Sequence, residues 1–305
     1  MDFGAVIVTY NRSKLLIESI DSLLKQTVPL KKIIVIDNAS TDDTESIFYE
    51  RFSDQINHEI EYIKLPKNIG GAGGFNKGIR RSQDFNLDYI SVSDDDAIYE
   101  KDYFEIIQNE IMKHPDVSAF CGTVKYPDGD IQLGHKRRIL GSKSLLEDVN
   151  VSAKEYQKIF EADIVSFVGL VISTHLISQI GLPLTEYFIW SDDFEYCLRI
   201  REHSKILCIP QAIIIHKTTR RINVAYTYTW KEYYGIRNQI NCVMRHTKHP
   251  IYSYLVWVRV FGKVLISNYL NPKYSGYRMK RGMALIKGCR DGLKGKLGKN
   301  SQYLP

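Results

Sequence analysis

The sequence predicts an α/β protein: a mostly parallel sheet with helices on both faces, followed by a basic, mainly helical C-terminal region. Three observations predict it. Continuous apolar strand-like runs alternate with helix-like segments over the first hundred residues, as strands buried on both faces do. Acidic residues recur just past the ends of those runs, where open α/β sheets bind ligands. The charge is also divided: residues 226–305 carry 15 Lys and Arg against two acids, Glu232 and Asp291, for a net +13, and the rest of the chain carries −7. A chain of 305 residues with 44% apolar residues suits one large domain and an appendage. The boundaries expected are 1–225 and 226–305.

Residues 5–9 read as a buried strand. Ser13 can cap a helix to about Lys25, with Leu15, Leu16, Ile20, Leu23 and Leu24 on its apolar face. Residues 33–37 are a second buried strand, and a helix spans 41–52. A strand over 59–65, a helix over 74–83 and a strand over 87–92 follow. Residues 116–124 read as a strand, 125–160 as polar, glycine-punctuated loops over a site, and 164–173 as an apolar strand. A helix is expected over 192–202 and short strands over 206–209 and 212–216. From Tyr226 to about Leu293 the pattern is helical, broken at Pro250 and Pro272. The chain opens straight into a strand pattern with nothing that reads as a signal peptide. Its five cysteines are scattered without Cys-x-x-Cys, so a reducing cytoplasm is expected.

Asp94-Asp95-Asp96 ends the strand over 87–92. Three successive carboxylates repel one another, and a hard divalent cation among their oxygens removes that cost. The other reading is a solvated acidic turn. Thr9-Tyr10-Asn11-Arg12 closes the first strand, and Asp37-Asn38-Ala39-Ser40-Thr41-Asp42-Asp43 closes the second. Asp37 can receive a base N–H or a ribose hydroxyl, or it can make an Asx-turn before the next helix. Asn68-Ile69-Gly70-Gly71-Ala72-Gly73-Gly74 lets backbone amides approach a ligand and opens a helix whose N-terminus favours anions. It is neither Gly-x-Gly-x-x-Gly after the first strand nor a P-loop. Trp190-Ser191-Asp192-Asp193-Phe194-Glu195 starts a helix that Ser191 can cap, and Asp192 also suits the helix dipole. Glu195 and Arg199 read as a surface pair. His216 is either structural or a third metal ligand beside the triplet.

Taken in order, these motifs resemble the inverting family 2 glycosyltransferases of the GT-A fold, a Rossmann-like architecture. The resemblance covers residues 3–245. The Gly-Gly-Ala-Gly-Gly-Phe form, the full Asp triplet and Tyr233-Tyr234-x-x-Arg237-Asn238 look most like bacterial galactofuranosyl- and rhamnosyltransferases. Ser191 departs from the pattern by separating Trp190 from the acidic pair.

The resemblance implies a division of roles. Thr9, Tyr10, Asn11, Arg12, Asp37, Asn38, Asn68, Gly70, Gly71, Gly74, Asp94 and Asp95 hold the nucleotide-sugar donor. Asp94, Asp96 and His216 hold Mn2+ or Mg2+. Trp190 and Asp192 shape the acceptor pocket, and Asp193 is the general base. It further implies transfer of galactofuranose from its UDP donor to a lipid-linked surface glycan, with rhamnose from its dTDP donor as the alternative.

Two rivals come from other classes. A non-catalytic nucleotide-sugar-binding protein should have lost Asp193 or part of the triplet, and here both stand. A nucleic-acid-binding protein lacks zinc spacing or an RNA-binding signature here, so no nucleic-acid partner is expected. The basic tail instead predicts an anionic membrane surface. Arg259 and Lys263 lie in the middle of residues 251–270, too costly for a spanning helix and suited to an interfacial one, with Trp257, Phe261 and Leu265 toward the acyl chains. A peripheral location at the inner face of the cell membrane follows, with a dimer contact as the competing use of that helix.

Overall fold

In the computed structural model, residues 1–56, 58–140, 145–218, 220 and 225–304 are described. Part of the loop expected over 125–160, residues 141–144, lies outside them.

The chain begins β1 (Phe3–Thr9), α1 (Ser13–Leu24), β2 (Lys32–Asp37), α2 (Thr44–Phe52), β3 (Ile60–Lys64), α3 (Gly70–Ser82), β4 (Tyr89–Asp94) and β5 (Ala97–Tyr99). It continues α4 (Tyr103–Lys113), β6 (Ala119–Lys125), β7 (Lys136–Ile139), β8 (Asp148–Asn150), β9 (Phe160–Ala162), β10 (Ile164–Val165), β11 (Val168–Ser173) and α5 (Thr174–Ile180). It ends α6 (Asp192–Arg201), β12 (Ile206–His216), α7 (Lys231–His246), α8 (Pro250–Leu270) and α9 (Arg278–Leu293).

The main sheet has the order β3-β2-β1-β4-β11-β6-β12-β5, with β9 also on β12. Strands β3, β2, β1 and β4 are parallel, and β11 runs antiparallel between β4 and β6. Strand alternation sorts the apolar side chains into two layers. Val6, Val8, Ile34 and Ile36 face α3 and α6, whereas Phe3, Ala5, Ile7, Ile33 and Val35 face α1, α2 and α4. Continuous apolar runs thus reflect burial on both faces, as expected.

Several boundaries differ from the sequence reading. α2 starts at Thr44, three residues late, because Thr41 N–H is tied to Asn11 Oδ1 at 2.8 Å. α1 is preceded by Arg12 as its cap residue, without a side-chain capping bond, so Ser13 is already helical. α3 starts at Gly70 instead of Gly74, so the glycines lie inside it. A Cβ on Gly74 would stand 2.6 Å from Val8 Cγ1, and one on Gly78 would stand 2.2 Å from Val6 Cγ1. These glycines let the helix lie close on β1. The expected strand over 164–173 is two: β10 joins β7 and β8 in a separate small sheet, and β11 joins the main one. Conversely, the two strands expected over 206–216 are one, β12, bulged between Ile209 and Ile213 around Pro210. α4 and α5 were not foreseen.

The C-terminal helices fall where Pro250 and Pro272 punctuate the pattern. Trp257, expected to face lipid, is 1% exposed and stacks on Phe261 under α9, its indole N–H directed at Cys289 Sγ at 3.4 Å. The exposed apolar side chains of α8 are instead Ile251, Leu255, Val258, Ile266 and Leu270. After α9 the chain returns to the main body: Gly298 N donates to Glu186 O at 2.7 Å and Lys299 Nζ to Asn68 O at 3.2 Å. The region expected as an appendage is therefore stitched to the sheet domain. Among the described residues no helix is long and apolar enough to cross a membrane, and all five cysteines are buried and free.

Candidate active site

A cleft of about 900 Å³ opens at the carboxyl ends of β1 and β4. Parallel pairing sets Val8 beside Asp94 and Thr9 beside Asp37. Past β4 the chain turns at Asp95-Asp96 into β5, whose antiparallel pairing places Ala97 opposite His216 of β12. This short edge strand thus brings the acidic triplet against a histidine 120 residues downstream.

The triplet is tightly held. Thr9 Oγ1 donates to Asp95 Oδ2 at 2.6 Å, and Arg12 Nη1 reaches Asp95 Oδ1 at 3.2 Å and Asp96 Oδ2 at 2.9 Å. Burial pushes the Asp94 carboxyl well above the ordinary range, and the charges of Asp96, Asp95 and Asp192 add to it. Burial also raises Asp95 to about 6, against the opposing pull of Thr9 and Arg12. Burial raises Asp96 too, but His216 and Arg12 outweigh it and hold that carboxyl below its usual value.

Among the described residues no group of three His, Cys, Asp or Glu side chains is placed to hold a metal ion. Asp96 and His216 nevertheless bring two donor atoms within 3.0 Å of each other, a pair that a cation can share. Gln132 Nε2 donates to the carbonyls of Lys125 and His216 at 3.3 and 3.2 Å, which turns its Oε1 toward two histidines. That oxygen can only accept, so His216 Nδ1, 3.0 Å away, and His135 Nε2, 2.9 Å away, both carry protons. The other ring nitrogen of His216, Nε2, faces Asp96 Oδ1 at 3.0 Å, a buried oxygen with no other partner. That contact can be filled by a proton on Nε2 or by a cation shared between the two atoms. Burial, with Lys136 and His216 adding to it, lowers His135 to about 3, so this ring stays neutral and accepts from Ser166.

Asp192 and Asp193 open α6 on another wall of the cleft. Burial raises Asp192 to about 7, with Asp193 reinforcing it. Burial raises Asp193 as well, opposed by the Arg137 guanidinium. Ser191 makes no side-chain cap; Asp193 Oδ1 accepts from Phe194 N at 2.7 Å instead. The loop before α6 holds Phe188, Trp190 and Ser191 at φ of 65°, 65° and 67°. Such strain persists only where the surroundings over-determine it. Here Asn238 Nδ2 donates to the carbonyls of Tyr187, Ile189 and Trp190, each at 2.9 Å. Arg237, fully buried, donates to Glu186 O at 3.1 Å and Tyr187 O at 3.0 Å. Glu195 and Arg199, expected as a surface pair, are a buried one at 2.8 Å, joined by His246 at 3.0 Å from Glu195.

Of the residues expected at the site, Thr9, Tyr10, Arg12, Asn38, Asn68, Gly70, Gly71, Asp94, Asp95, Asp96, Trp190, Asp192, Asp193 and His216 line this one cleft. Asn11, Asp37 and Gly74 do not. Both Asp37 oxygens are engaged inside the protein, one by Ser40 N at 2.7 Å and the other by Tyr62 OH at 2.5 Å. Asn11 braces the loop after β2, and Gly74 meets Val8. The α3 N-terminus is also less open than expected for an anion site. Ile69 N donates to Asn38, Gly70 N to Asn68, and Ala72 N to Phe188 O. At Gly70, φ is +80° and a Cβ would fall 1.9 Å from Phe188 O, whereas a Cβ on Gly71 meets nothing within 4 Å. The sequence reading missed Gln132, His135, Arg137, Trp230 and Lys231. Gln132 and His135 sit beside and in a short turn, Arg137 lies on the short strand β7 within a stretch read as loops, and the last two lie in a region read as separate.

The family profile described as Glycosyl transferase family 2 matches residues 5–169, just over half of the chain. A poly-beta-1,6-N-acetyl-D-glucosamine synthase of Staphylococcus epidermidis is 26% identical over 146 residues, 48% of this chain and 32% of that protein. The chain therefore spans about a third of the length of that curated relative. Among solved structures, S. aureus TarS 1-349 in complex with UDP-GlcNAc aligns at TM-score 0.61 and 16% identity, covering 96% of this chain and 81% of that one. The mannosyltransferase PcManGT from Pyrobaculum calidifontis, in complex with GDP-Man and Mn2+, aligns at TM-score 0.58 and 16% identity, covering 96% and 87%. These likenesses establish the GT-A architecture of the α/β body with its helical C-terminal region.

Proposed function

The chain belongs to glycosyl transferase family 2, and from that premise we propose that it is a metal-dependent inverting glycosyltransferase. It moves a sugar from a nucleotide-linked donor to a hydroxyl of a glycan acceptor. One observation carries this reading: the acidic triplet with His216 shares one cleft with the carboxylates Asp192 and Asp193.

Asp94, Asp96 and His216 would hold Mn2+ or Mg2+. Bound there, the ion would supply positive charge to offset the negative charge developing on the leaving diphosphate. The protein supplies the rest. Thr9 and Arg12 fix Asp95 toward the donor, and the Arg237–Asn238 clamp fixes the loop that presents Trp190 and the acidic pair. Asp193 accepts the proton of the acceptor hydroxyl as its oxygen bonds the anomeric carbon, and the bond to the diphosphate oxygen breaks with its electron pair on that oxygen. Burial makes Asp193 a stronger base than a solvated carboxylate, which suits this work near neutrality.

Galactofuranose from its UDP donor is the first reading of the sugar, on the Gly-Gly-Ala-Gly-Gly-Phe, triple-Asp and Tyr-Tyr-x-x-Arg-Asn motifs. UDP-N-acetylglucosamine is the second, favoured by the synthase and TarS likenesses. The acceptor is a lipid-linked surface glycan reached at the inner face of the membrane, where the exposed apolar residues of α8 beside Arg259 and Lys263 rest on anionic lipid. The test is hydrolysis of a nucleotide-sugar panel, including UDP-galactofuranose, UDP-N-acetylglucosamine and dTDP-rhamnose, with Mn2+ or chelator. Metal-dependent hydrolysis of one donor is expected. No hydrolysis of any donor with metal present would remove the transferase reading.

A further inference from the structure

A second cavity of about 530 Å³ borders the cleft, and Trp230 lines both. Its other walls are Tyr228, just before α7, Lys280 and Met283 of α9, and Gln302 and Tyr303 of the returning tail. The rings are held from behind. Tyr303 lies flat on Tyr233 with centroids 4.2 Å apart and planes 3° apart, and Trp230 meets Tyr234 edge-on at 5.6 Å. The Lys280 ammonium lies 4.8 Å from the Tyr228 ring centre. Lys231, at the start of α7, lies 6.0 Å from the Trp190 ring and 5.8 Å from that of Trp230, so a continuous aromatic and cationic track joins the two cavities.

Aromatic rings braced on one face and open on the other suit the C–H faces of sugar rings, whose slight positive charge meets the negative face of the ring. A few polar groups amid such surface fix orientation, as in small-ligand sites generally. Lys280 and Gln302 supply them. The track leaves the main cleft beside Trp190, next to Asp193, and away from Thr9 and Asp95. We propose that this second cavity is a distal acceptor subsite that binds a saccharide unit of the glycan chain removed from the receiving hydroxyl. The proposal rests on the transferase reading and deepens it: the protein selects acceptors by length.

The experiment measures binding of the full chain, without donor, to an array of glycans running from monosaccharides to longer oligosaccharides. Lys280→Ala and Tyr228→Ala are compared with wild type, with thermal melting as the check on folding and UDP-sugar hydrolysis as the check on the donor side. Wild type should retain longer chains better than monosaccharides. Each variant should lose roughly tenfold of that retention, as expected for one lost stacking or polar contact, while melting and donor hydrolysis stay unchanged. Variants that bind as wild type, or a wild type that binds no oligosaccharide, would overturn the subsite and leave the transferase reading intact. Length-dependent binding lost in the variants, in a wild type that hydrolyses no donor, would keep the subsite and overturn the transferase.

Discussion

Asp193 and Asp192 are adjacent in the chain, Asp192 buried and Asp193 half-buried, and are assigned different work. With Asp193 as the base, Asp193→Asn should lower transfer by roughly 10²–10⁴ while donor affinity stays near wild type. Ordinary turnover in that variant would pass the role to Asp192. Asp192 makes a separate prediction about stability. Burial raises its folded carboxyl to about 7. Between its unfolded value near 3.9 and about 7, the folded state keeps a proton that the unfolded state has lost, so stability falls as pH rises across that window. In chelator, Asp192→Asn should therefore melt above wild type at pH 8, by roughly 2–4 °C, and the two should converge toward pH 4. A melting difference that grew on acidification would have the wrong sign. At this scale the sequence showed which residue types meet, since fourteen of those expected line one cleft. It could not show which oxygens were already taken. Asp37 looks the same in sequence whether it faces a nucleotide or Tyr62, because its partner lies 25 residues away on the neighbouring strand. Gln132 carried no signal, since its role depends on two histidines that only the fold brings to it.

The elements that build the cleft depend on close backbone approach. α3 lies on β1 at Gly74 and Gly78, and a methyl at Gly78 meets Val6 in the fully buried sheet. Gly78→Ala should therefore destabilise by about 1–3 kcal/mol through overpacking, despite the higher helix propensity of alanine. A variant that melts at or above wild type would show that β1 yields easily. Strand and helix order through β4 was readable because those strands alternate between two apolar layers. The strand β12 was read as two because Pro210 interrupts its pattern, and a bulge cannot be told from a break without the partner strand. α4 is absent from the sequence reading although its apolar residues Tyr103, Phe104, Ile107 and Ile111 recur at helical spacing. For α8 the helix was foreseen and its facing inverted. Both of its faces are apolar, and only packing under α9 decides that Trp257 goes inward.

Over the whole molecule, the basic C-terminal region completes the cleft through Trp230 and Lys231 and also exposes apolar side chains along α8. With Ile251 at 78% and Leu270 at 74% exposure, the full chain should sediment with vesicles containing anionic lipid and leave them as salt rises. Leu255→Asp with Ile266→Asp should weaken that binding, whereas retention by that double variant would turn attention to dimer contacts. The charge contrast behind the expected two-part division is plain in the sequence, because bases crowd the last eighty residues. The stitching of those parts through Arg237, Gly298 and Lys299 was not, because backbone carbonyls accept those contacts and leave no pattern in sequence. The central claim is that the triplet and His216 hold a cation that in turn holds a nucleoside diphosphate. Calorimetric titration of UDP, with Mn2+ and with chelator, on wild type, Asp96→Ala and His216→Ala tests it most directly. The account predicts a metal-dependent gain in wild-type affinity that both variants lose. An equal gain in all three proteins, or no gain in wild type, would contradict it.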